Sequence, residues 1–523
     1  MTTEQIKGIL DVNVALRDNL FAYGFLFTDS QVNEKEYPFY DNWEKKIVNQ
    51  YTLLVHKKQK SYVCSLEQNC FVLIGHAYNP FTLQYEESEI VQELLSFWVN
   101  DKNAFFDKFN QISGIFTLII LDESGVHLLG DPSCIQTTYY GKINENIIVS
   151  THSRLIGDLM NLKEDEYVKR LINYKHFRLF GNYLPGDLSP FGEIKRLVPN
   201  HCVTIGDEIT VRRFYAIETT SKGKDDLATE IGEVLHNSLK MISKKWNHVA
   251  ISLTGGCDSK TTLACANGLY EKFSYFSYIS VDKEKVDAKA AQKICENLGL
   301  KHKTYEISSE DDDFDNLDLV REILFWNGGG TLYNNANDIR KRCYFSSVND
   351  FDVEVKSWCS EIGRAYYSKR FNGRKRFGKT PSPRKCTTLY KVFLSDRKLV
   401  RKTDKIFKDY IKTYFNETKN SNVPWQEQFF WEFRVPAWNG LTITGEHRYS
   451  FDIAIPYNNR KLLCLFLSAS IEQRIGDEIY KLVRYNMNEK VDSTGVLVQN
   501  IEHTKKRAII ENLYYAVHTK IPF

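Results

Sequence analysis

The chain has 523 residues, 42% hydrophobic and 26% charged, with a net charge of +3. This ordinary globular composition excludes a disordered, collagen-like or membrane-embedded chain, and the charge balance calls for no polyanionic partner such as nucleic acid. At roughly 100–200 residues per domain, the length allows two to four domains.

No apolar run approaches the ~18 residues of a membrane span; the best, residues 115–121, is strand-sized. The start, MTTEQIKGIL, lacks the basic-then-apolar pattern of a secretory signal. Eleven cysteines are scattered without a Cys-x-x-Cys pair, which argues against a disulfide scaffold and a zinc ribbon. The expected home is a reducing cytoplasm, with no membrane partner.

In chain order, the first ~215 residues read as β-rich. Short apolar runs at 70–74, 114–121, 126–129 and 147–150 are bounded by Gly, Asn or Asp, and 144–146 reads as a hairpin loop. A helix is predicted over 88–99, with Ile90, Leu94, Leu95 and Trp98 at helical spacing and Ser88 as N-cap. The polar stretch 219–226 (TTSKGKDD) marks a boundary between domains at 1–218 and 219–523. An amphipathic helix follows over 227–242. Then strand (248–253), helix (258–267), strand (273–280), helix (285–298) and strand (303–307) alternate, which implies a parallel sheet with right-handed crossovers. Beyond 317 most segments read as helical.

The most informative segment is 251–260, ISLTGGCDSK. A strand ends in Thr254-Gly255-Gly256, and a helix starts near Asp258. The glycines let the backbone approach an anion, and the loop and helix N–H groups favour phosphate. Ser252, Thr254 and Ser259 add hydroxyls. Asp258 beside phosphate calls for Mg²⁺ between them. Ser259 before Lys260 rules out a Walker A loop. The bland alternative is a Gly-Gly turn capped by Asp.

SxTGGxDS resembles the pyrophosphate loop of N-type ATP pyrophosphatases, which cleave ATP to AMP and pyrophosphate. Gly114-Ile-Phe116 through Asp122, Leu128-Leu-Gly-Asp131 and Tyr139-Tyr140 resemble the amidotransferase domain of asparagine synthetases, as do Gly181-Asn-Tyr-Leu-Pro185 and the Phe191, Ile194, Leu197, Pro199 series. Ile455-Pro456-Tyr457-Asn458 resembles their later RVPFLD segment. The resemblance covers most of the chain and points to the group of asparagine synthetases, β-lactam synthetases, carbapenam synthetases and lasso peptide cyclases. Two departures stand out. Thr2 replaces the N-terminal cysteine that hydrolyses glutamine, so a retained scaffold without glutaminase activity is favoured over an N-terminal threonine nucleophile. Asp131-Pro-Ser-Cys134 replaces the usual Arg-Asp-x-x-Gly.

The resemblance also implies further site residues. Glu361, in Ser357-Trp-Cys-Ser-Glu361, stands where the family carries a second Mg²⁺ carboxylate; the alternative is a helix start capped by Ser360. Asp452 stands where the family has a Glu near the nucleophile, or is a surface Asp at a strand end. Lys505 or Lys506 matches the lysine that steadies the transition state, or belongs to a solvated basic turn. Ser277, in Phe276-Ser-Tyr278, falls at the adenine position or in a core strand. Trp358 replaces a proton-accepting residue, which leaves Asp452, Tyr366 or Tyr367 for the amine step, or a nucleophile that arrives already neutral. Residues 369–385 carry eight basic residues and no acid; a solvated loop is favoured over a grip on an acidic substrate. Asn327-Gly-Gly-Gly-Thr331 either shapes an acyl pocket or ends a helix.

The expected fold is α/β: an N-terminal-nucleophile-type α-β-β-α sandwich, then an adenine nucleotide α-hydrolase-like ATP pyrophosphatase domain with a helical C-terminal part. The expected function is an ATP- and Mg²⁺-dependent ligase that adenylates a small-molecule or peptide carboxylate and couples it to an amine of the same or another molecule, in natural product biosynthesis. The alternatives are ammonia-dependent amidation of a small molecule or sugar acid, and a non-catalytic binding homologue. A homodimer or a pathway partner protein fits either reading.

Overall fold

A computed structural model describes residues 2–332, 334–373, 377–391, 394–415, 422–495 and 505–520. Two six-stranded antiparallel sheets occupy the first part. One contains Phe25–Thr28, Trp43–Val48, Tyr51–His56, Tyr139–Ile143, Asn146–Ser150 and Lys195–Arg196; the other contains Ser61–Leu66, Asn69–Tyr78, Ser113–Asp122, Gly125–Gly130, His201–Ile205 and Ile209–Arg213. Strand side chains alternate faces. Phe25, Phe27, Leu53 and Val55 of one sheet meet Val72, Ile74, Ile119 and Leu128 of the other. On the second sheet's outer face, Phe71 and Leu73 bury against Ile90, Leu94 and Trp98 of the Glu87–Asn100 helix and Phe105 of Lys102–Phe109. On the first sheet's outer face, Leu26, Leu54 and Ile148 meet Ile6 and Leu10 of the Thr3–Val12 helix and Leu155 of Ser153–Leu159. The layers run α-β-β-α, as expected. The helix Leu317–Asn327, far along the chain, completes the last layer through Val320, Ile323 and Leu324.

One detail differs from the sequence reading. The Glu87–Asn100 helix begins a residue before Ser88, and its N-cap is Glu86, which makes no side-chain capping bond.

Helix Lys224–Lys245 leads into a five-stranded parallel sheet. Its order is His302–Glu306, Phe273–Ile279, Val249–Ser252, Val353–Val355, Asp452–Ala454. The first three strands in sequence run outward in one direction. The chain then returns to the other side of Val249–Ser252, so the order reverses between Val249–Ser252 and Val353–Val355. Ligands of such sheets bind beyond the carboxyl ends of the strands at this switch point. The rest is largely helical, including Arg397–Tyr414, Arg460–Ser468 and Glu478–Asn488.

The two parts are joined by buried polar contacts. Asp131 accepts from the amides of Ser133, Ile135 and Gln136 and from Asn458 Nδ2, so the Asp131-Pro-Ser-Cys134 turn is a clasp on the second part. Arg213 pairs with Glu432 at 2.7 Å. Asn327 accepts the Phe21 amide and donates to the Asn19 carbonyl. The 327–331 segment therefore ends a helix, with Gly328 as C-cap, and pins the N-terminal segment. No helix among the described residues is long and apolar enough to cross a membrane.

Candidate active site

Val249–Ser252 delivers residues 253–256 to the switch point, and the helix Cys257–Cys265 leaves from it. Gly256 is the N-cap and has no side chain to offer, so the first helical amides face outward, as an anion site requires. The loop is braced internally. Ser259 Oγ donates to the Thr254 carbonyl at 3.0 Å, and Thr254 Oγ1 accepts the Gly256 amide at 3.1 Å. The Gly255 amide donates to Asp287 Oδ1 at 3.0 Å, so an internal carboxylate already occupies one anion position. Ser252 Oγ donates to the Val355 carbonyl at 3.4 Å, and Thr262 and Ser357 hydroxyls lie 2.7 Å apart. These bonds tie the loop to its neighbour.

That neighbour follows Val353–Val355 and turns through a short 3-10 segment, Ser360–Arg364. Ser360 Oγ makes no capping bond; Tyr480 donates to its carbonyl at 2.6 Å. Ser360 is therefore not the cap that the alternative reading gave it, although Glu361 does stand in the first turn of this short segment. Burial, reinforced by the nearby Asp258, pushes the Glu361 carboxyl up to about 7. Glu361 Oε2 and Asp258 Oδ1 are both buried and without a hydrogen-bond partner among the described residues. Two adjacent carboxylates with orphaned oxygens, beside open amides, fit Mg²⁺, which takes one or two carboxylates plus phosphate oxygens.

Cations frame this pair. Arg364 bonds Asp258 and, at 2.9 Å, Asp477, which also holds Lys369. Lys260 and Arg484 both bond Asp492. Sequence reading gave none of Arg364, Asp477, Arg484, Asp492 or Asp287 a role. Only Arg364, three residues after Glu361, lay within a motif already in view.

The remaining expected residues divide. Tyr457 hydroxyl lies 3.3 Å from the Asp258 carbonyl, so the 455–458 segment does reach the loop. Asp452 does not. It pairs in register with Val353, which pairs with Val249, at the amino ends of strands whose carboxyl ends carry the site. Its carboxylate faces Arg448 at 3.3 Å. The role near the nucleophile is corrected on that ground. Ser277 sits mid-strand, its hydroxyl committed to the Leu253 carbonyl at 2.7 Å and to His302 at 3.0 Å. It backs the loop instead of facing a nucleotide. Lys505 and Lys506 begin the last helix, Lys505–His518, and are exposed, which is the solvated alternative. Tyr366 stacks on Phe430 at 4.5 Å, with the Arg434 guanidinium 4.9 Å from its ring. Thr2 caps the first helix, its hydroxyl and amide both bonded to Gln5. In the 369–385 segment, 374–376 lie outside the described residues; Lys369, Arg370 and Arg384 are ion-paired.

Residues 230–327 match the asparagine synthase family model. The chain carries an asparagine synthase-type segment. It contains the glycine loop and three strands of the parallel sheet, while Glu361, Arg434 and Tyr457 lie beyond it. No curated protein matches the sequence. Among solved structures the chain is similar to an allosteric regulatory enzyme of purine biosynthesis, at 10% identity and a TM-score of 0.24, over 52% of this chain and 61% of that one. It is similar to glutamine phosphoribosylpyrophosphate amidotransferase from B. subtilis (10%, TM-score 0.23, 70% and 74%). It is also similar to the NH3-dependent NAD synthetase from Campylobacter jejuni (15%, TM-score 0.18, 36% and 96%). The chain spans less than two thirds of the first of these.

Proposed function

We propose that the protein is an ATP-dependent, AMP-forming carbon–nitrogen ligase, which activates a carboxylate and passes it to an amine. One observation carries this reading: the glycine loop and the Asp258–Glu361 pair meet at the switch point of the asparagine synthase-type sheet, with unfilled amides and orphaned carboxylate oxygens on the same side.

In the first half-reaction a substrate carboxylate oxygen attacks the α-phosphorus, and the bond from that phosphorus to the bridging oxygen breaks. The electron pair leaves on pyrophosphate, which the amides at the start of Cys257–Cys265 hold. Asp258 and Glu361 would hold Mg²⁺, which offsets triphosphate charge. Arg364 keeps Asp258 in place through Asp477. In the second half-reaction the amine attacks the acyl carbon and AMP leaves. With Asp452 turned toward Arg448, Tyr366 is the group we assign to take up the amine proton, its ring lying 4.9 Å from the Arg434 guanidinium.

The test is product analysis with a panel of carboxylic acids and amines. AMP and pyrophosphate are expected, and Asp258→Asn should reduce turnover by a hundredfold or more (on the order of a lost electrostatic contact in the transition state). ADP and phosphate as products would remove the assignment. Tyr366→Phe should spare pyrophosphate exchange and slow amide formation by about tenfold or more; equal loss of both would place Tyr366 in substrate binding.

A further inference from the structure

Next to the proposed site, three basic side chains are buried, and only Arg370 of them has an ion-paired carboxylate among the described residues. Arg370, Lys391 and Arg434 are each no more than 3% exposed. Arg370 pairs with Glu511 at 2.6 Å. Among the described residues neither Lys391 nor Arg434 forms an ion pair. Lys391 donates to the Phe177 carbonyl at 2.8 Å and to the Gly181 carbonyl, and burial, with Arg434 and Arg370 nearby, pushes its pKa well down. Arg434 donates to the Tyr183 hydroxyl, and its guanidinium lies 4.5 Å from the Trp438 ring and 4.9 Å from the Tyr366 ring. Both cations share the face of Tyr183, at 4.6 Å for Lys391 and 5.3 Å for Arg434.

A buried cation without a counter-ion is costly, and aromatic faces recover only part of the lost hydration. The backbone here is also unusual. Phe430–Arg434 and Pro436–Gly440 are successive π-helical turns, a form seen often at functional sites. Tyr367, 1% exposed, has a hydroxyl with no hydrogen-bond partner and lies in the field of Arg434. Glu361 lies in the field of both Asp258 and Arg434, so the cationic cluster adjoins the carboxylate pair. The missing partner of this cluster is therefore an anion.

We infer that Arg434 binds the carboxylate of an acid substrate whose apolar or aromatic body lies against Tyr366 and Trp438. This rests on the ligase reading above and names the class of acid. Phosphate would gain nothing from the ring faces, and the glycine loop already provides for it.

Isothermal titration of the full chain without nucleotide, using benzoate and its neutral isostere benzamide as probes, tests the inference. Benzoate should bind at least about tenfold more tightly than benzamide, and Arg434→Gln should remove that preference, the size expected for a charge-assisted hydrogen bond. Trp438→Leu, at a ring that is 38% exposed and so tolerant of change, should weaken both probes together. It keeps the inference falsifiable if Arg434→Gln does not fold. Asp258→Asn should leave benzoate binding intact, which separates this site from the nucleotide chemistry. Undetectable benzoate binding, equal affinity for the two probes, an Arg434→Gln variant that still prefers benzoate, or competitive displacement of benzoate by pyrophosphate would each overturn the inference. A chain that binds benzoate as described yet forms ADP would fail the ligase reading alone.

Discussion

Asp287 accepts the Gly255 amide, so an anion bound at the loop as we propose would have to displace a like charge to use that donor. Asp287→Asn should therefore tighten binding of inorganic pyrophosphate by several-fold, about the gain from removing one nearby repulsive charge at a partly exposed site. Weaker binding in a pyrophosphate titration would show that Asp287 supports the loop instead. At this scale the sequence was informative where chemistry is local. The Gly-Gly-x-Asp-Ser spacing located a tight turn into a helix start because that conformation depends on its own residues. Glu361 was legible by resemblance, and its orphaned oxygen gives that position a physical reason. Asp452 was misjudged because strand register, not spacing to Pro456, decides which end of the sheet it occupies. Arg434, fourteen residues before Arg448 in a helical stretch, carries no local pattern at all; its meaning comes from rings contributed by residues 183, 366 and 438.

The elements with strong periodicity were legible. Lys224–Lys245 and the alternating strands and helices to Glu306 fall within a few residues of the expected bounds, since each has an apolar face long enough to read. Val353–Val355 and Asp452–Ala454 are three residues each, too short for a period, and are fixed only by pairing in the sheet. The close contact between the ends of Leu317–Asn327 and Leu441–Gly445 gives a direct test. A Cβ at Gly445 would lie 2.9 Å from Gly328 Cα and 3.0 Å from Gly328 N, both backbone atoms that cannot swing aside. Gly445→Ala should cost about 1–3 kcal/mol by forcing the two segments apart, read as a lower urea midpoint at unchanged slope. No loss of stability would mean that this approach is not a close-packed one.

In the whole molecule, buried histidines make the fold acid-sensitive, and one of them, His76, bonds the Ile453 carbonyl across the two parts. Burial pushes His56 and His152 down to about 3 and His76 and His201 down to about 4. The unfolded chain protonates them near 6.5, so their contribution is complete above that pH and is lost as pH falls, at up to about 1.4 kcal/mol per pH unit for each. Glu361 and Glu446, pushed up to about 7 by burial, act in the opposite sense between about 4.5 and 7, while His447, which burial pushes well down, adds to the histidines' side. The urea midpoint should fall from pH 6.5 to pH 5; a flat or rising midpoint would contradict this burial. The interface also holds the buried Arg213–Glu432 pair, and Glu432→Gln should destabilise by about 3–5 kcal/mol by stranding the arginine, measured by the same denaturation. We propose that two loops from neighbouring parallel strands form one metal–phosphate site. It is tested most directly by titrating Mn²⁺ into the protein with pyrophosphate present. Asp258→Asn and Glu361→Gln should each weaken Mn²⁺ binding by about tenfold or more, and the double variant should lose little beyond the worse single variant, because both carboxylates serve one ion. Mn²⁺ binding unaffected by Glu361→Gln, or losses that simply add, would contradict the account.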